Sequence, residues 1–66
     1  MEYVVEYRYR FELGQKFTDW KEHHATSTKE EALEAIEYLE LSELEDRADG
    51  LLARFEETQY RVVERA

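Results

Sequence analysis

Seven carboxylates, Glu30, Glu34, Glu37, Glu40, Glu43, Asp46 and Asp49, recur three or four residues apart through the middle of the chain. On an α-helix such spacing brings neighbouring Cβ atoms to about 5 to 6 Å, so the carboxylates project as a row. Paired carboxylates can do general acid–base chemistry, but only where something excludes water and raises a proton affinity. Exposed helical faces offer neither. What the row can do is meet a basic surface. Residues 28–57 hold eleven acids against three bases (Lys29, Arg47 and Arg54), while the flanks hold six of each, so the whole net charge of −8 belongs to this segment. Charge concentrated on one element makes a directional field, whereas scattered charge mainly confers solubility. Glutamate also forms helices well and keeps small domains dispersed, which is the plainer explanation of the row. Against it stands the shortage of lysine at the i+4 positions, which leaves like-charge repulsion uncompensated.

Other reactive residue types have simpler readings. His23 and His24 are adjacent, and adjacent strand residues point to opposite faces, so without a bend they do not chelate one ion together. Ser27, Thr28 and Ser42 fit helix caps, and Gly14 and Gly50 fit turns, leaving no nucleophile beside a base and an anion-stabilising loop. The tyrosine-rich segment near the amino terminus, with Arg8 and Arg10, has the composition of a base-stacking platform. In so small a domain those rings are better spent as core. No enzyme, metal site or cofactor is expected.

The elements that position these residues follow from periodicity. Tyr3, Val5, Tyr7, Tyr9 and Phe11 alternate with Val4, Glu6, Arg8 and Arg10 in strand fashion. Leu13-Gly14-Gln15-Lys16 suggests a hairpin turn into a second strand from about Lys16 to Ala25. A two-residue loop there faces Trp20 toward Tyr7 or Tyr9 and sets Asp19 opposite Arg8 or Arg10. Val4 and Phe17 then fall on the wet face, as scattered exposed apolar residues or as the mark of a partner surface or sheet-to-sheet dimer.

Ser27 with Glu30, or Thr28 with Glu31, forms a capping box, so a helix starts near Lys29. On a helical wheel counted from Glu30, Ala32, Ala35, Ile36 and Leu39 fall at about 140° to 240°, opposite Glu30, Glu34 and Glu37. Leu41, Leu44, Ala48, Leu51, Leu52 and Phe55 cluster near about 350°, a second stripe that one straight helix cannot bury against the same sheet. Two helices, 29–40 and 43–56, are therefore expected, with Ser42-Glu43-Leu44-Glu45 capping the second. Asp49-Gly50 competes as a turn; if it wins, Leu51 to Phe55 becomes loop or strand. Gln59 to Arg65 ends the chain as a third strand beside the first. The expected fold is α+β: a three-stranded antiparallel sheet with one or two helices on its aromatic face, ββαβ or ββααβ, and Arg8, Arg10, Arg61 and Arg65 outside or at the edge.

Sixty-six residues make one small domain that buries about 60% of its unfolded surface. Nine aromatics and a hydrophobic content of 42% are too rich for disorder. Without cysteine there are no disulfides or thiolate sites, and self-association is a remaining support. No apolar run approaches the roughly 20 residues of a membrane span, and an intracellular, cytoplasmic protein is expected. Acidity argues against a direct grip on nucleic acid. Two functions remain. One is a small binding or inhibitory protein, of the size and acidity of phage accessory proteins, that docks Glu30, Glu34, Glu37 and Glu40, aided by Glu43, Asp46 and Asp49, on a basic partner surface. The nucleic-acid channel of a defence or transcription complex is such a surface. The other is a homodimerising structural module whose acidity serves solubility alone.

Overall fold

The computed structural model describes residues 1–12, 14–50 and 56–66. Its elements run β1 (Glu2–Arg10), β2 (Lys21–Thr26), α1 (Lys29–Ala48) and β3 (Glu57–Arg65), and the antiparallel sheet has the order β2-β1-β3. The fold is α+β in the order ββαβ. β3 lies beside β1 through nine consecutive pairs, which set Val4 against Val63, Val5 against Val62 and Tyr7 against Tyr60. These branched and aromatic pairs suit a pleated, half-buried surface.

The helix packs on the aromatic face, where Val5 is fully buried. Tyr60, opposite Tyr7, donates its hydroxyl to the Glu43 carboxylate of α1 at 2.8 Å. Ala32 is buried, and Ala35, Ile36, Leu39, Ser42, Glu43 and Asp46 are half-buried, which is the three-and-four spacing of one helical face. Thr28 is the N-cap: its Oγ1 accepts the Glu31 N–H at 3.2 Å, the half of the second expected capping box that sets the helix start.

Two expectations about the elements are overturned. The helix does not break between Leu39 and Ser42; it runs unbroken for 20 residues. Continuity keeps every mid-helix backbone hydrogen bond, and the Tyr60–Glu43 contact ties the segment beyond Ser42 to β3, so the second apolar stripe stays outside instead. The helix then stops at Asp49-Gly50, where Gly50 has φ 77° and its N–H donates to the Arg47 carbonyl at 3.2 Å. Positive φ costs glycine least, which is how the turn prevails at Asp49-Gly50. The alternative fates of Leu51 to Phe55 lie outside the described residues. Arg47 donates to the Glu56 carbonyl and so tethers the helix end to the start of β3.

The second correction concerns β2, which begins at Lys21 rather than Lys16. Gln15 Oε1 accepts the N–H groups of Phe11 (3.0 Å) and Glu12 (3.3 Å), and Gly14 takes φ 85°, so the connection turns there. Within β2, Val5 pairs with His24 but Glu6 pairs with Glu22. His23 is the extra residue of a β-bulge. Because side chains alternate with a period of two, this one-residue slip sends everything before it to the other face. Lys21 pairs with Tyr7, so Trp20 falls on the arginine side, not beside Tyr7 or Tyr9.

Candidate binding faces

The uncovered side of the sheet is built from Glu2, Val4, Glu6, Arg8 and Arg10 of β1 with Glu57, Gln59, Arg61, Val63 and Arg65 of β3 directly opposite. Register brings unlike charges together. Arg10 binds Glu57 at 2.7 Å, Arg61 binds Glu6 at 2.7 Å, and Arg65 binds Glu2 at 2.5 Å and Glu22 at 2.9 Å. Arg8 donates through Nε to Gln59 at 2.8 Å. Guanidiniums and rings alternate in an unbroken series of contacts. Arg61 lies 4.2 Å and Arg8 4.7 Å from the Trp20 centroid, while Arg8 and Arg10 lie 4.7 and 4.6 Å from that of Phe17. Each distance is within cation–π range. Val4 and Phe17 therefore do not offer exposed apolar surface: Val4 is buried between the Glu2–Arg65 and Glu6–Arg61 rows, and Phe17 is half-buried under two guanidiniums. The hydrogen bonds from Arg65 to Glu2 and Glu22 hold its already basic guanidinium above its ordinary range.

The outer side of α1 is different. The helix carries eight acids and two bases, a net −6 of the chain's −8. Glu30, Glu34, Glu37 and Glu40 are all exposed, and among the described residues no ion pair joins any helix carboxylate to a base. The other three expected contact residues stand apart from that group. Glu43 accepts from Tyr60, Asp46 is half-buried on the sheet side, and Asp49 caps the helix with its N–H on the Glu45 carbonyl at 2.9 Å. Burial first, then the hydrogen bond and charge of Glu43 and the charge of Glu40, push the Tyr60 phenol well above its ordinary range. Glu45, left out of the expected contacts, is exposed and belongs with the outer group by its helical angle.

The same side exposes large apolar residues: Leu33 (50%), Tyr38 (70%), Leu41 (55%) and Leu44 (64%). Leu41 and Leu44 read from sequence as the buried face of a second helix. The wheel that placed them opposite the core stripe already contained the signal, once the helix is allowed to stay straight.

The histidine pair sits at the bulge, which supplies the bend that regular alternation lacks. Its Nδ1 atoms are 2.6 Å apart, His23 packs edge-on against Tyr7, and one Nδ1 must donate to the other. Nitrogens sharing a tetrahedral zinc ion at about 2.0 to 2.1 Å would stand farther apart than this. Among the described residues no group of three or more His, Cys, Asp or Glu could hold a metal ion, and no helix is long and apolar enough to cross a membrane.

Comparison with known proteins gives no match: no family model, no curated protein and no solved structure is significantly similar to this chain.

Proposed function

We propose that this chain is a small acidic binding protein, without catalytic activity of its own, that docks the outer side of α1 on a basic surface of a partner protein and blocks it. The observation that carries this reading is the contrast in charge pairing. The acids Glu2, Glu6, Glu22 and Glu57 of the sheet are each matched by an arginine, whereas Glu30, Glu34, Glu37 and Glu40 are matched by no described base. Leaving repulsion standing along a helix costs stability, a few tenths of a kcal/mol for each like-charge pair, and a cationic partner would relieve it. A surface that ordinarily grips nucleic-acid phosphates has the required charge, and occupying it would make the protein an inhibitor of the phage accessory or anti-defence kind.

The test is capture of partner proteins from a cell extract by the wild-type chain and by a Glu30→Lys/Glu34→Lys/Glu37→Lys variant. Wild-type capture should weaken steeply as salt rises, because exposed charges are screened over about 10 Å at 0.1 M. The variant should capture nothing at any salt concentration. Retention of the same partners by the folded variant would sink the reading.

A further inference from the structure

We infer that the outer side of α1 is shaped for one class of partner element, an amphipathic helix whose apolar face is edged with lysine or arginine; this rests on the proposed docking to a basic protein surface and narrows it. A pure imitation of a phosphate row has no use for exposed leucines. Here Leu33, Leu41 and Leu44, each at least half exposed, lie within about 80° of one another on the wheel. They span twelve residues of a helix with no break, about 16 Å or three turns. A narrow straight stripe of that length matches the contact one helix makes with another better than it matches a flat surface. Its borders are carboxylates, Glu40 on one side and Glu34 and Glu45 on the other, with Glu37 set into the stripe between Leu33 and Leu41.

Those borders decide the occupant. A second copy laid on the stripe would bring eight such carboxylates together, four from each chain, as the apolar centre lost water, and like charges facing across a contact are costly. Nucleic acid and anionic lipid are repelled for the same reason. A cationic amphipathic helix puts apolar side chains against the leucines and basic ones against the rim, the usual anatomy of a specific interface. The Glu37 carboxylate then requires a basic residue in the middle of the partner's apolar face, which sets register.

Fluorescence anisotropy on the full chain tests this with three labelled 18-residue peptides. One is an amphipathic Leu/Lys helix, one replaces its leucines by serine at the same lysine count, and one replaces its lysines by glutamate. The Leu/Lys peptide should bind at least tenfold more tightly than the Ser/Lys peptide, and the Leu/Glu peptide should not bind. Leu41→Gln/Leu44→Gln should remove the tenfold preference; both sites are exposed, so helical circular dichroism should be unchanged. If the double variant loses that signal, Leu33→Gln repeats the test from another turn. Equal binding of the two cationic peptides, indifferent to these variants, overturns the inference while leaving docking on a basic surface intact. Failure of both cationic peptides to bind overturns the two together. A light-scattering mass that falls from dimer to monomer in the leucine variants assigns the stripe to a second copy and also overturns the inference.

Discussion

On the open face of the sheet, Glu6 and Glu57 each hold an arginine across one strand pair; on the outer side of α1, Glu34 and Glu37 hold no described base. The residue type is the same, but composition already separates the two elements: the helix carries eight acids and two bases, whereas the strands carry five of each. Register does the rest. The β1–β3 pairing sets Glu2 opposite Arg65, Glu6 opposite Arg61 and Arg10 opposite Glu57, and each cross-strand pair neutralises itself within the fold. Along α1 no base lies three or four positions from an outer glutamate, so its field is left directed outward. Four of the five sheet carboxylates thus belong to stability, Glu64 being the one without an ion pair among the described residues, and the outer helix carboxylates are free for a partner.

The largest effect expected from this contrast is at Trp20. Its ring lies against Arg8 and Arg61 and helps cover the sheet, so Trp20→Ala should cost about 2 kcal/mol, below the usual range for a fully buried ring because Trp20 is only half-buried. For so short a domain that lowers Tm by roughly 10 °C. Leu44→Ala, on the helix exterior, should change stability by less than about 0.5 kcal/mol. Thermal unfolding of the two variants side by side settles the division, and a larger loss for Leu44→Ala would reverse it.

Tyr60 is where the two regions touch, and Tyr60→Phe should cost about 1 kcal/mol, a charge-assisted hydrogen bond discounted for partial exposure. The alkaline limb has a definite sign. The folded phenol is held above its unfolded value near 10.0, so both states keep the proton below that value and the contribution is complete. Above it the unfolded chain releases its proton first, and stability falls as pH rises toward the folded value. Denaturant titrations above pH 10 should therefore show a shallower decline for Tyr60→Phe than for the wild type. Parallel declines would show that the contact does not persist in solution. Of similar size, Glu57→Gln should cost about 1 kcal/mol through the half-buried Arg10 pair, where Glu34→Gln should cost nothing.

How far the sequence foretold this layout depends on whether a feature is periodic or a single event. Tyr3 to Tyr9, the Ala32-Ala35-Ile36-Leu39 face and the Thr28 cap rest on repeated spacing or a local motif, and the sheet, the core side of the helix and its start were legible from them. The bulge at His23 is one inserted residue with no compositional mark, yet it moved Trp20 across the sheet and created the arginine–aromatic series. The expected helix break failed for another reason. Two apolar stripes demand two buried faces only where both must be covered within the chain; exposing Leu41 and Leu44 keeps the helix intact, and the sequence pattern alone does not mark a stripe as left outside. The acidic group was legible as a set of residues, while its division, with Glu43 drawn to Tyr60 and Asp46 turned toward the sheet, needed the position of β3.

The smallest effect in stability separates the two accounts of the acids most directly. In Glu34→Lys the new lysine has Glu30 four residues before it, the favoured orientation, with Glu31 and Glu37 three residues to either side. Each such pair contributes about 0.2 to 0.5 kcal/mol at low salt, and a like-charge repulsion is removed as well. The variant should therefore be more stable than the wild type by about 0.5 to 1 kcal/mol, with the gain shrinking at 1 M salt, where the Debye length is only about 3 Å. Were glutamates there only for solubility and helix formation, the more stable sequence would serve equally well, and capture of partners would be unaffected. If they form a docking face, the same substitution strengthens the fold while weakening capture, opposite signs from one residue. Loss of stability in Glu34→Lys would instead reveal a base already satisfying Glu34 within the molecule, and the contrast between the two faces would not survive it.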